Sequence, residues 1–245
     1  MVPGRGESGR RRRNHIMKVL VVDVGGTHVK LLVTGKTVKR MLDSGPRLTP
    51  GRMVTAVETL VADWKYEAVS IGVPAPVVRG RITSEPANLG GGWKRFDFAA
   101  AFDRPVKLVN DAAMQALGSY RGGRMLFLGI GTGLGSALVI DGAVVPLELA
   151  HLPYRKGRTF EDYVGLRGLR RLGKKRWRHH VLTVVERLRN AILCEDLVLG
   201  GGNVRFLKKL PPGARLGGNS YAFKGGYALW SRPVEGEGAK GPPRR

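Results

Sequence analysis

The chain of 245 residues contains a single cysteine, Cys194, only 7% aromatic residues, and 19 acidic residues against 42 basic ones. One cysteine excludes a disulfide framework and any zinc site built on several thiolates, and it fits a reducing, cytoplasmic setting. Apolar runs such as Val19 to Val22 and Met125 to Ile130 stop far short of the ~20 residues that a membrane span requires, so no membrane partner is expected. No motif interleaves aromatics with basic residues, which speaks against a specific nucleic-acid partner. The shortage of acid leaves a formal charge of +23, while 42% hydrophobic residues are enough to build a core and exclude a wholly disordered chain.

Residues 1–16 carry five arginines against Glu7, and residues 231–245 carry four basic residues against two acids. Both are rich in Gly or Pro and read as flexible tails, with Met17 as an alternative start. About +17 therefore belongs to the body. Within it the expected division is an N-terminal lobe over 17–122 and a C-terminal lobe over 123–230.

The two parts open alike. Val19–Asp23 runs into Gly25-Gly26-Thr27 and then Val29–Val33; Met125–Ile130 runs into Gly131-Thr132-Gly133-Leu134-Gly135 and then Ser136–Ile140, followed by an Asp141-Gly142 hairpin turn. Helical spacing marks Met53–Trp64, Asp111–Tyr120, Phe160–Val164, Tyr221–Trp230 and His179–Leu193, the last through Leu182, Val185, Leu188 and Ile192. Ala68–Val73, Val106–Val109 and Asp196–Leu199 read as strands. Such alternation predicts an α/β protein of two similar lobes with a cleft between them.

Glycine-rich turns let backbone N–H groups approach an anion. Thr27 adds a hydroxyl, and Asp23 is placed to hold hydrated Mg²⁺. Ordinary hairpin turns remain the alternative. A dinucleotide fingerprint is excluded because Ser136 occupies the third glycine site and a strand follows; a P-loop is excluded because no G-x-x-x-x-G-K-[ST] occurs.

In order, Asp23-Val-Gly-Gly-Thr27, Gly129-Ile-Gly-Thr-Gly-Leu-Gly135 and Val198-Leu-Gly-Gly-Gly202 resemble the two phosphate motifs and the nucleotide-side motif of the sugar kinase/actin/Hsp70 superfamily. Within it the chain resembles the ROK (repressor, open reading frame, kinase) family, and most closely polyphosphate glucokinases, through Glu148-Leu-Ala-His151, Phe160-Glu-Asp-Tyr163 and Leu172-Gly-Lys-Lys-Arg-Trp177. The resemblance implies the two-lobed, actin-like (ribonuclease H-like) ATPase fold and a cytoplasmic, homodimeric sugar kinase. It implies Asp111 as the base that takes the proton of the sugar 6-hydroxyl, a role that competes with simple capping of the following helix. Asn88, Asn110, Asp111, Glu148 and His151 would bind glucose or a related hexose. Gly25, Gly26, Thr27, Gly131, Thr132 and Gly133 would hold phosphate, Gly200, Gly201 and Gly202 would stand on the nucleotide side, and Asp23 would bind Mg²⁺ through water. Trp93 is read as a packed aromatic rather than a sugar platform. Many ROK proteins bind zinc through the equivalent histidine and a cysteine-rich loop; these cysteines are missing, so no zinc is expected. Ala150 replaces the usual glycine of Glu-x-Gly-His, and Asn219-Ser220 replaces a common Asn-Asp pair.

Residues 167–178 hold seven basic residues and no acid, whereas solvated helix faces usually mix signs. Lys174, Lys175 and Arg176 are the centre of a track suited to polyphosphate, which needs far more positive surface than ATP. Polyphosphate is thus placed ahead of ATP as donor, with dual use open. An ATP-dependent hexokinase for another hexose, a relative without catalysis, and a sugar-responsive or polyanion-binding regulator are the alternatives. ROK repressors carry an added helix-turn-helix domain, for which 16 residues are too few.

Overall fold

The computed structural model describes residues 16–218 and 220–231. Asn219 and, apart from Ile16 and Ser231, the two expected tails lie outside the described residues.

The first half builds β1 (Val19–Val24), β2 (His28–Val33), β3 (Arg40–Asp43), α1 (Pro50–Leu60), β4 (Ala68–Val73), a hairpin of β5 (Val77–Val78) and β6 (Arg81–Ile82), α2 (Phe98–Phe102), β7 (Val106–Asn110) and α3 (Asp111–Ser119). β1 and β4 are buried along their whole length, as parallel neighbours covered on both faces must be. The sheet runs β3-β2-β1-β4-β7, with β1–β2 and β2–β3 antiparallel and β1–β4 and β4–β7 parallel. Thr49 caps α1, whose apolar side, Met53, Val54 and Val57, packs into the core of this sheet.

The second half repeats the plan with β8 (Arg124–Ile130), β9 (Leu134–Ile140) and β10 (Ala143–Leu147), then a hairpin of β11 (Pro153–Arg155) and β12 (Arg158–Thr159). It continues with α4 (Phe160–Val164), α5 (Leu166–Ile192), β13 (Asp196–Gly200), β14 (Ala214–Leu216) and α6 (Tyr221–Ser231). Its sheet runs β10-β9-β8-β13-β14 with the same succession of antiparallel and parallel pairings. The repeat glimpsed in the glycine turns therefore extends to five strands on each side, and the architecture is the two-lobed, actin-like α/β fold. Asp141 (φ 49°) and Gly142 (φ 83°) form the expected β9–β10 turn.

Two expectations need correction. The helix expected over His179–Leu193 is longer: α5 begins at Leu166, takes in the basic run of residues 167–178 and is broken only at Gly173 (φ 69°). Of the four apolar residues expected on its core side, Val185 and Leu188 are buried and Ile192 packs partly buried against the core, but Leu182 is 40% exposed; Trp177, Val181 and Val184 complete the buried side.

The division at residues 122 and 123 separates the sheets but not the helices. α3 lays Ala112, Ala113 and Ala116 on Met125, Phe127, Ala137 and Val139 of the second sheet. α6 returns to the first sheet, with Phe223 and Ala222 against Val19 and Val21 and a hydrogen bond from Ser70 Oγ to Gly226 O of 2.7 Å. The helices cross with their backbones touching. A Cβ on Gly118 would fall 1.9 Å from the Tyr221 carbonyl oxygen, and one on Gly225 1.8 Å from that of Met114, so only glycine fits at either place.

Candidate active site

A cleft of about 380 Å³ opens where the two glycine turns face each other across the lobes, lined by Gly25, Gly26, Thr27, Gly131 and Thr132. His28, Lys30, Leu166, Gly202 and Asn203 complete its wall. Antiparallel pairing across the first turn sets Lys30 directly opposite Asp23. The same pairing, read seven residues on from Asp23, would have disclosed Lys30, which the motif reading passed over.

The second turn is braced from outside. Asn203 Nδ2 donates to Gly131 O at 2.7 Å, Leu166 N to Thr132 O at 3.0 Å, and Leu134 N to Glu161 Oε2 at 3.2 Å. A Cβ on Gly133 would lie 2.1 Å from Glu161 Oε2, so the glycine is what admits this carboxylate. Gly133 is thus a packing residue beside the cleft rather than part of its wall. Of Gly200, Gly201 and Gly202, only Gly202 reaches the wall. A Cβ at Gly200 would meet Phe127, and one at Gly201 the backbone of Ile130, so these two glycines serve the packing of β13 on β8.

Asn110 and Asp111 divide the work at the start of α3. Asn110 caps the helix, accepting from Ala112 N (2.9 Å) and Ala113 N (3.2 Å), while its amide donates to Ala75 O (3.1 Å). The capping role that competed for Asp111 thus falls to its neighbour, and the Asn110 side chain is engaged in the fold. Asp111 Oδ1 accepts only from Ala112 N among the hydrogen bonds of the described residues. Burial, then the charges of Asp23 and Glu148, push its carboxyl up to about 7. Asp23, 9% exposed, is raised by burial and drawn back by Lys30 and Lys39.

The other expected sugar contacts gather around these acids. Asn88 Cβ lies 3.8 Å from where a Cβ on Gly26 would sit. Glu148 is raised by burial, with His151 opposing and Glu161 adding to the shift, so Glu148, His151 and Glu161 share one electrostatic neighbourhood with Asp111. Glu161 was visible in sequence only as part of a motif and was assigned no role. Trp93 is 1% exposed and packs on Phe98 with centroids 6.0 Å apart. Just before it, Glu85 accepts from Trp93 N and Lys94 N and anchors the loop that carries Asn88.

Lys174, Lys175 and Arg176 are exposed on α5, whose first residue lines the cleft. The short 3₁₀ helix Gly202–Phe206 also starts there, and Lys174 Nζ and Arg205 Cζ lie 5.0 and 4.8 Å from the centre of the Phe206 ring. Among the described residues no cluster of three or more His, Cys, Asp or Glu is arranged to hold a metal. Mg²⁺ bound to phosphates keeps several waters and needs only one or two carboxylates, and Asp23, two residues before Gly25 of the cleft wall and electrostatically coupled to Asp111, fits that requirement. No described helix is long and apolar enough to cross a membrane.

Three comparisons place this site among known proteins. The ROK family profile matches residues 19–146. N-acetylmannosamine kinase of Yersinia pestis (strain Pestoides F) is 32% identical over 139 residues, covering 51% of this chain and 48% of that protein; the chain thus matches about half the length of this curated relative. Polyphosphate/ATP-glucomannokinase from Arthrobacter sp. strain KM superposes with a TM-score of 0.76 at 22% identity, over 88% of this chain and 100% of that one. A ROK family glucokinase from Streptomyces griseus, in complex with glucose and AMPPNP, does so with a TM-score of 0.67 at 17% identity, over 86% and 98%. The shared strand plan, the facing glycine turns and a family match over more than half of the residues lead to one assignment: this chain belongs to the ROK family.

Proposed function

We propose that the protein is a sugar kinase that transfers a phosphoryl group from polyphosphate or ATP to the 6-hydroxyl of glucose or a related hexose. The observation that carries this reading is a carboxyl group, Asp111, held near neutral beside a cleft made of two phosphate-type turns. Alcohols are poor nucleophiles, and a base with a pKa near the working pH is the most effective partner for them. Asp111 takes the hydroxyl proton as that oxygen bonds to the terminal phosphorus; the bond from phosphorus to the donor's bridging oxygen breaks, and its electrons leave with the shortened donor. Backbone N–H groups of Gly26, Thr27 and Thr132 hold the phosphates, while those of Gly25 and Gly131 close the turns on His28 O and Gly133 O, and Lys30 supplies a positive charge to the phosphates. Asp23 would hold Mg²⁺ through water, and the ion when bound neutralises charge on the phosphates. Asn88, Glu148, His151 and Glu161 orient the hexose through paired donor and acceptor geometry.

The exposed cations of α5, starting at the cleft, support polyphosphate as a donor. A second reading, an ATP-dependent kinase for N-acetylmannosamine, is favoured by the relative that is 32% identical. Purified protein incubated with Mg²⁺, each donor and a panel of hexoses including N-acetylmannosamine discriminates them by the phosphosugar formed. Glucose 6-phosphate made from polyphosphate supports the first reading. Product from N-acetylmannosamine and ATP alone supports the second, and no product with any pair overturns both.

A further inference from the structure

Between Glu148 and Glu161 the chain leaves the second lobe as the β11–β12 hairpin, so two of the candidate sugar contacts stand at the two ends of one excursion. Its tip, Lys156-Gly157, is a two-residue turn with φ of 50° and 67°, and Arg155, Lys156 and Arg158 are exposed. A lone two-stranded hairpin is marginal in water, and this one is further weakened by a register shift between Pro153 and Arg155.

The residue at that shift, Tyr154, turns inward. Its ring meets Phe160 at 5.3 Å, Tyr163 at 5.0 Å and His180 of α5 at 5.7 Å, the last two edge to face. Arg187 lies over it at 5.3 Å, and its hydroxyl is 3.1 Å from His180 Nδ1. Tyr163 closes the group on His180 at 4.7 Å. Resting on the sugar-kinase reading above, we infer that the Tyr154–His180 pair is a positioning element for the acceptor sugar, pinning the hairpin so that Glu148 and His151 at one end and Glu161 at the other face the same hexose.

The pair carries its own pH response. His180 is 9% exposed and faces Tyr154, Tyr163, His179, Arg155 and Arg171, with Arg187 behind Tyr154. Protonation adds a cation to this basic surround and removes the Nδ1 lone pair that can accept from the tyrosine hydroxyl. Burial and the neighbouring cations hold His180 below its ordinary range, so the pin loosens only on the acid side of ~6.5.

The test is calorimetric hexose binding together with steady-state kinetics, at pH 5.5 and 7.5, on wild type, Tyr154→Phe, Tyr154→Leu and His180→Asn. Tyr154→Phe, which loses one hydrogen bond, is expected to raise the hexose Kd and KM about three- to tenfold, with kcat and the donor KM within about twofold. Tyr154→Leu should do more in the same direction. His180→Asn keeps an acceptor but cannot titrate, so the rise in hexose Kd between pH 7.5 and 5.5 should be smaller than in wild type, the remainder following Asp111, whose carboxyl titrates at about 7. Should Tyr154→Leu fail to fold, the other two variants decide. Unchanged hexose binding in Tyr154→Phe with the acid-side rise intact in His180→Asn overturns the inference, as does an equal loss for hexose and donor. A wild type that neither binds nor phosphorylates any hexose overturns the sugar-kinase reading first, and the pin falls with it.

Discussion

In the first sheet Asp23, near the cleft end of β1, stands opposite Lys30 on β2 and Gly72 on β4. At the matching place in the second sheet Gly129 stands opposite Gly135 and Gly200. One strand plan thus carries charge on one side and empty space on the other. The space has a use: a Cβ on Gly135 would come within 2.9 Å of Ala112 Cβ, and one on Gly200 within 2.5 Å of Phe127. Glycine lets α3 settle against the second sheet and so fixes Asp111, one residue before Ala112, within electrostatic reach of Asp23 and Glu148. The two similar halves have become a half that bears Asp23 and Asp111 and a half that seats them.

The comparison breaks most severely at Asp111. Asp111→Asn is expected to lower kcat about 10²- to 10⁴-fold while calorimetry still records hexose binding; retained turnover would remove the acid from the chemistry. In the wild type kcat/KM should fall as pH drops below about 7, because the base is then protonated. Stability moves the other way. The folded carboxyl holds its proton up to about 7, the unfolded one only to about 4, so stability declines as pH rises through that window. Thermal melts at pH 4 and 8 should show a smaller decline in Asp111→Asn. A middle-sized effect is expected from Gly135→Ala, which leaves every acid in place but pushes on Ala112. A loss of about 10- to 100-fold in kcat, as small displacements produce, would show that the second half seats the first half's acid; unaltered kcat with a lowered Tm would reduce Gly135 to a packing role. The smallest effect concerns the second half's surface. Replacing Lys174, Lys175 and Arg176 with Ala should raise KM for polyphosphate several-fold, more steeply for longer chains and at low salt, and leave KM for ATP nearly unchanged.

Much of this organisation was legible from sequence. The apolar residues around the two turns define β1, β2, β8 and β9 within a residue or two, β1 and β8 by near-continuous apolar runs and β2 by alternation of buried and less buried residues. β3, with two of its four residues exposed, and β14 gave no such signal. Asp111 could be placed but not separated from Asn110 as the cap, because both types cap helices and only the observed hydrogen bonds assign the role. Lys30, Asn203 and Glu161 escaped for another reason. Lys30 follows from the register across the first turn, whereas Asn203 and Glu161 reach the second turn by contacts 72 and 27 residues apart in the chain, which no local pattern encodes. The basic run was recognised as one-signed, but the fully buried Trp177 within it, donating to Val164 O at 2.8 Å, showed that the run belongs to a core-packed helix.

The exchange of α3 and α6 between the sheets also bears on how the chain is made. The strands of the first sheet are complete once residue 110 has been synthesised, yet Val19, Val21 and Ser70 are covered by residues of α6, the last described element. Until that helix emerges, Met114 of α3 is, among the described residues, the one buried residue outside the sheet that this cluster can bring to that face of the earliest-made layer. The two lobes are therefore finished together rather than in the order in which they are written.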